Sequence, residues 1–415
     1  MIDRVQADCS LERVRASPSL DVNRESGLRV LHVVYTLDPG GAGSVEAARL
    51  YARLSGSACS IEVLSLDDDV TPFLTHWPVP VHCAGKAISS YRYVPALVEW
   101  LRRNARRFDA VVVHGIWHYH LPAVWRALRS GPIPYFVILH GMLNPWFKHT
   151  YRLKHFKKTV FWKAGVRRAI EGASGVLFLC EEESLLAQET FKFKPRKQAV
   201  VPLGVRVEQA PPTLFLDRFP ELRSRRLILF LGRICFMKGC DLLLDAFANI
   251  ESEHSDAHLV MCGPDGEQWQ KQLIRRAKEL RISHRVTWTG PLYSEMKWSA
   301  LRAADLLALP SRCETFPITV LEALSCGLPV LISEDVNICQ VVRDGGAGFV
   351  CLPTVSSVEQ AMGRWLAMNH SERPAWRLRA NECFAQNYEL EGAFRKHVDA
   401  LRACMTATGG LLVGN

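Results

Sequence analysis

Glu314 and Glu322 bracket an otherwise apolar stretch, ETFPITVLEALSCGLPV at Glu314–Val330, and acids in such a setting need a reason. Pro317 has the fixed φ that suits a first helical turn. Glu314 then falls in the loop before a helix, and Glu322 lies roughly one and a half turns inside it. Carboxylates are acceptors only, natural partners for the vicinal hydroxyls of a sugar or ribose. The open N–H groups of the helix start favour a phosphate between them. The plainer alternative is an N-terminal charge and one solvated glutamate. The apolar neighbours Val320, Leu321, Ala323 and Leu324 argue against full exposure of Glu322.

A second cluster is cationic. In ILFLGRICFMKGCDLLLDAF, Arg233 closes a strand pattern and Lys238 follows, just before a helix opening at Gly239-Cys240-Asp241. The carboxyl ends of strands in an open α/β sheet form the ligand crevice. There Arg can fork onto phosphate oxygens and Lys can act as a point charge. The alternative is two solvated surface cations. Nearer the N-terminus, the turn Asp38–Ser44 holds Gly40, Gly41 and Gly43 and opens another helix. It reads as a phosphate loop, a dinucleotide loop or a plain tight turn. Glu46 stands where a dinucleotide fingerprint wants its third glycine, yet SLDDD after the second strand offers a ribose-binding acid.

Apolar strands alternate with amphipathic helices to position these groups. Strands are expected at Leu28–Thr36, Ser60–Leu66, Asp109–His114, Tyr135–His140, Gly175–Cys180 and Ala199–Pro202. A second series follows at Leu227–Gly232, His258–Cys262, Val286–Thr289, Leu306–Leu309 and Pro329–Ile332. Unbroken Val/Ile/Leu runs are the mark of strands covered on both faces, hence of parallel sheets. Two doubly wound α/β halves result. The expected organisation is a disordered arm at 1–27, an N-terminal domain at 28–206 and a Pro-rich connection at 207–226. A C-terminal domain at 227–387, a helix at 388–408 returning to the first domain, and a tail at 409–415 complete it.

The 415 residues contain 13 cysteines, an odd number with no CxxC, as expected of reduced thiols in a cytosolic protein. No apolar run approaches a membrane span, and the polar start has no secretory h-region. Net charge is +9, suited to an anionic ligand or surface. The excess gathers in KHTYRLKHFKKTVFWKAGVRR, Lys148–Arg168, which has no Asp or Glu. Lys154, Lys157 and Lys158 interleave there with Tyr151, Phe156, Phe161 and Trp162. This pattern reads as an interfacial helix on anionic lipid, as a solvated basic face over a core, or as a nucleic-acid contact.

GRICFMKG, PSRCETFPITVLEALSCGLPV and PGGAGSVEAARL together resemble glycosyltransferase family 4, the group 1 retaining enzymes of GT-B architecture, over nearly the whole chain after residue 28. The resemblance implies two Rossmann-like domains facing across a cleft. It implies that Arg233 and Lys238 hold a donor diphosphate, that Glu314 contacts the donor sugar and that Glu322 binds ribose. The Gly40–Gly43 turn reaches the donor from the other side, and Phe316 and the Ile318 N–H complete the donor site. Family members often carry glycine where Pro317 stands, which leaves Ile318 N–H as the phosphate donor. Leu203 in VPLGV replaces a usual Asn. His140, at a strand end before Gly141, matches a histidine near the anomeric centre; Asn144 stands where similar enzymes building bacterial surface polysaccharides often have Asp. His114, first of three histidines in HGIWHYH, is expected to line the acceptor pocket, and zinc is the weaker alternative.

The expected activity is retaining transfer of a sugar from a nucleotide-sugar donor to a hydroxyl of a glycan or lipid-linked acceptor, in polysaccharide biosynthesis. His140, Glu314, Arg233 and Lys238 are the catalytic candidates. The nucleotide sugar is a substrate; no cofactor, metal or nucleic acid is expected. The expected location is cytoplasmic, peripheral at the inner face of the plasma membrane. The alternatives are an inactive GT-B sugar-binding scaffold and an NAD-dependent oxidoreductase.

Overall fold

The computed structural model describes residues 27–38, 43–266 and 268–406. The arm at 1–26, Gly40 and Gly41 of the glycine turn, and the tail after 406 lie outside the described residues. Within them the strands form two all-parallel sheets. The first comprises β1 (Leu28–Val34), β2 (Cys59–Ser65), β3 (Val81–Cys83), β4 (Ala110–His114), β5 (Tyr135–Ile138), β6 (Gly175–Phe178) and β7 (Gln198–Val200), in the order β3-β2-β1-β4-β5-β6-β7. The second comprises β8 (Arg226–Leu231), β9 (Ala257–Cys262), β10 (Val286–Gly290), β11 (Leu306–Leu309), β12 (Val330–Ser333) and β13 (Gly348–Cys351), in the order β10-β9-β8-β11-β12-β13.

The central strands are buried on both faces, every residue of β4 and β9 included, as their unbroken apolar runs require. In each sheet the winding reverses between the first and fourth strands, β1/β4 and β8/β11, which opens a crevice at their carboxyl ends. The loops leaving β5, β8 and β11 therefore carry the candidate residues into the space between the halves.

The structure adds elements to those expected. Strands β3 and β13 and the helix Cys339–Asp344 were not anticipated. The connection at 207–226 contains the helix Pro212–Arg218. Pro212 starts that helix, Phe215 is buried, and Phe215 N–H donates to Ser299 Oγ at 2.8 Å, so this segment is docked on the second half. The last helix, Leu390–Thr406, lies on the first sheet, where Lys197 Nζ donates to Cys404 O at 2.6 Å. The two passages between halves run side by side: Val205 N–H donates to Tyr388 O at 3.1 Å and Val205 bridges Glu389. A Cβ on Gly204 would lie 2.5 Å from Leu390 Cα.

Candidate active site

Arg233 follows β8 and is exposed, with no ion pair among the described residues. Lys238 ends the tight turn Phe236–Lys238, and Gly239 then takes φ +67°. A Cβ there would lie 2.0 Å from the Pro310 carbonyl oxygen, so only glycine lets this turn close on the loop after β11. Arg312 fastens the same approach. Its guanidinium forks onto Asp241 at 2.8 and 2.7 Å, donates to Phe236 O at 2.8 Å and sits 3.9 Å from the Phe236 ring centroid.

Glu314 is fixed through its backbone. Its N–H donates to Asp335 O at 3.0 Å, and its carbonyl accepts Asn337 N–H at 2.9 Å. Its carboxylate meets the Lys238 ammonium in a direct ion pair, with 14% and 17% of the two side chains exposed. Burial lowers the Lys238 pKa and the charge of Arg233 adds to this. The carboxylate in contact opposes both, and the pair stands as ammonium and carboxylate.

The helix Ile318–Ser325 starts after Pro317, and its first N–H groups have no intrahelical acceptor. Glu322 is 7% exposed. Burial raises its pKa and Lys297 opposes the rise, donating from Nζ at 2.5 Å. Lys297 comes from the helix Ser294–Ala303, and nothing in its sequence setting marks it. Both acids are thus already paired with lysines. Glu322 and Lys297 line an open pocket shared with Glu46, Leu50 and Arg53, which belong to the opposite half.

That half contributes the turn after β5. His140 and Gly141 take φ +52° and +69°, and a Cβ on Gly141 would lie 1.9 Å from Thr315 Oγ1. The turn therefore presses directly on the loop that carries Glu314. Buried Glu183 ties it down, accepting Gly141 N–H at 2.5 Å and Leu179 N–H at 2.6 Å. Burial pushes the Glu183 carboxyl up to about 7 against the pull of those two N–H groups. A non-glycine residue in the left-handed region costs about 1 kcal/mol or more, and this anchor helps hold it there.

Several expected residues serve other ends. His114 does not line an open pocket: it is fully buried and bonds His140 at 2.9 Å and His32 at 2.8 Å. His120 Nε2 bonds His114 O at 2.9 Å, while His118 stacks on Tyr35 at 4.2 Å. Among the described residues no group of His, Cys, Asp or Glu could hold a metal. Asn144 Oδ1 accepts Trp146 N–H at 2.9 Å, which commits it to the start of the helix Trp146–Thr150. The Phe316 ring packs edge-on against Tyr388 with centroids 5.9 Å apart. Gly43 opens its helix at the surface, and a Cβ there would meet nothing within 4 Å. Asp67 of SLDDD is engaged by Leu37 N–H, Thr36, Ser65 and Arg92 and is 5% exposed, so it offers no ribose site.

The basic stretch forms the helix Arg152–Phe161. Leu153, Phe156 and Val160 share one face by their spacing and are 85%, 69% and 55% exposed, so these side chains are not core. Lys154 and Lys157 are exposed beside them. Lys158 is half-buried, over the rings of Trp117 and Phe147 at 4.9 and 5.1 Å. Among the described residues no helix is long and apolar enough to cross a membrane.

Comparison with known proteins gives a consistent pattern. Residues 217–381 match the family described as glycosyl transferases group 1, and residues 40–204 match the glycosyl transferase 4-like domain. D-inositol 3-phosphate glycosyltransferase of Nocardia farcinica is 36% identical over 129 residues, covering 30% of this chain and 29% of that protein. The chain thus matches only about three tenths of that relative's length. Sucrose-phosphate synthase of Thermosynechococcus elongatus superposes with a TM-score of 0.74 at 16% identity, over 92% of this chain and 100% of the other. HepE of Anabaena, solved with UDP and glucose, gives 0.72 at 16% identity over 91% and 100%. At such identity the structural likeness bears on the fold alone, and that fold is GT-B.

Proposed function

This chain belongs to the group 1 glycosyltransferases, and from that premise we propose that it transfers a sugar from a nucleotide-sugar donor to an acceptor hydroxyl with retention of the anomeric configuration. The observation that carries the reading is the convergence at the second crevice. Arg233, the Lys238–Glu314 pair, the open end of the helix Ile318–Ser325 and buried Glu322 gather there, opposite the His140 turn. Arg233, Lys238 and the Ile318 N–H hold the diphosphate; Glu322 takes the ribose and Glu314 the sugar hydroxyls. Donor binding exchanges lysine for hydroxyl at Glu322 and carboxylate for phosphate at Lys238.

In the reaction the bond between the anomeric carbon and the diphosphate oxygen breaks. The acceptor oxygen bonds to the same face, and its proton passes to the departing phosphate oxygen. Arg233, Lys238 and the helix end stabilise the charge that grows on the leaving group. With two cations and a helix terminus in that role, the reaction proceeds without a metal. Closure of the two halves excludes water and suppresses hydrolysis.

The acceptor is a glycan or lipid-linked sugar. The apolar face of Leu153, Phe156 and Val160, flanked by Lys154 and Lys157, seats the protein on an anionic membrane surface at the cytoplasmic side. A panel of nucleotide sugars and dinucleotides tests the reading, with thermal stabilisation and product anomer as readouts. A true donor at about 100 times its Kd adds about 2.7 kcal/mol of stability. The reading is lost if dinucleotides stabilise the protein and no nucleotide sugar does.

A further inference from the structure

Three imidazoles cross one face of the first sheet, from β1 through β4 to the turn after β5. His32 Nδ1 lies 2.8 Å from His114 Nε2, and His114 Nδ1 lies 2.9 Å from His140 Nε2. His32 and His114 are fully buried. Burial pulls all three well below the ordinary histidine value, His140 to about 3, so the chain is neutral at pH 7. A neutral imidazole donates from one nitrogen and accepts at the other. The chain can therefore run in only two senses.

In the first sense, His32 Nδ1–H donates to His114, His114 Nδ1–H donates to His140, and His140 carries its proton on Nδ1. In the second, every bond is reversed, His140 Nδ1 is a bare lone pair, and His32 must carry N–H at Nε2. The inner end decides between them. His32 Nε2 is buried without a hydrogen-bond partner among the described residues. The rings beside it are Tyr51 and His397, with centroids at 5.6 and 6.0 Å, and the Tyr51 hydroxyl and both His397 nitrogens are also unpartnered. Among the described residues no carboxylate or carbonyl lies within hydrogen-bond distance of His32 Nε2. In this geometry the second sense would strand a buried N–H, the rarest kind of orphan, while the first leaves only a lone pair.

We propose that His32 and His114 are positioning residues that hold His140 as its Nδ1–H tautomer, so that His140 meets the cleft as a fixed hydrogen-bond donor and not as a base. Its Nδ1 makes no hydrogen bond among the described residues and is not one of the enclosed ring atoms. A sugar or acceptor oxygen is the fitting partner. The catalytic consequence rests on the glycosyl-transfer reading; the tautomer does not.

Nitrogen-15 spectroscopy of histidine-labelled protein, with His140→Asn to assign the signal, is expected to find His140 protonated at Nδ1. His32→Leu removes the donor to His114. It is expected to give mixed His140 tautomers and a kcat lower by about tenfold, with the donor KM within about twofold. His32→Asn keeps an amide N–H near the place of Nδ1 and should restore both. Protonation of His140 at Nε2 in the unaltered protein overturns the proposal, as does a His32→Leu variant with an unchanged His140 signal. Should His32→Leu fail to fold, the wild-type spectrum alone still decides. Mixed tautomers with undiminished turnover would uphold the tautomer assignment and overturn the role of His140 in the reaction.

Discussion

Lys238→Ala is the sharpest probe of the donor site. Lys238 and Glu314 have 17% and 14% of their side chains exposed, so the ammonium acts in a partly dry crevice. A charge-assisted hydrogen bond there is worth about 1.5–3 kcal/mol, or roughly 10- to 150-fold in affinity. Two effects modify this. In the free protein Lys238 already serves Glu314, so its contact with phosphate replaces one partner by another and lowers the figure. Its removal also leaves the Glu314 carboxylate uncompensated beside a diphosphate. At about 4 Å and an effective dielectric constant near 20, that repulsion approaches about 4 kcal/mol. The second effect dominates, and Lys238→Ala should weaken nucleoside diphosphate binding at least about 30-fold by calorimetry at low salt. Adding Glu314→Gln removes the repelling charge and should recover about tenfold. Unfolding curves on each variant must accompany these titrations, because stranding one member of a buried pair costs about 3–5 kcal/mol. Binding by Lys238→Ala within about twofold of wild type, or no recovery in the double variant, would refute the placement of diphosphate at this pair.

Glu183→Gln should change the pH dependence of stability. Burial pushes the folded carboxyl up to about 7 from the 4.5 of an ordinary glutamate, so the folded protein holds the extra proton in that window. Wild-type stability should then fall as pH rises from about 4.5 through 7, and the variant should lose that slope in thermal melts; matching slopes would count against it. Gly239→Ala, with its Cβ 2.0 Å from Pro310 O and φ +67°, should cost about 2–4 kcal/mol in urea unfolding, and an unchanged midpoint would contradict the close approach. Replacing Lys154 and Lys157 by Gln should reduce partitioning onto anionic vesicles about 30-fold in co-sedimentation while nucleotide affinity holds, since each basic residue near such a surface is worth about 1 kcal/mol; vesicle binding indifferent to both changes would remove the membrane role. Turnover should survive an excess of chelator, and its abolition would end the metal-free mechanism.

Much of the fold is legible in the chain because buried parallel strands must be continuously apolar. AVVVH and RLILFL announce themselves, and so do the helices that start at Cys240 and Ile318. The strand VHC at Val81–Cys83 does not, being three half-buried residues at a sheet edge, and GFVC at Gly348–Cys351 is four residues after a glycine pair. At the site, Arg233, Lys238, Glu314 and Glu322 lie in short motifs that display them. Their partners do not. Lys297 reaches Glu322 across 25 residues, Glu183 reaches Gly141 across 42, Asp241 reaches Arg312 across 71 and His32 reaches His114 across 82. Each of these looks locally like an ordinary surface or strand residue, and only the tertiary fold gives it an occupation.

The paired passages at Val205 and Tyr388 constrain how the halves move. A single thread would let one lobe tumble against the other. Two threads laid side by side and bonded at 3.1 Å, with Gly204 tight against Leu390, act as a strap hinge. The lobes can swivel about the strap but cannot drift apart at that edge. Each closing stroke therefore returns the His140 turn to the same landing on Thr315, and the reach of the swing is set by the far lips of the cleft.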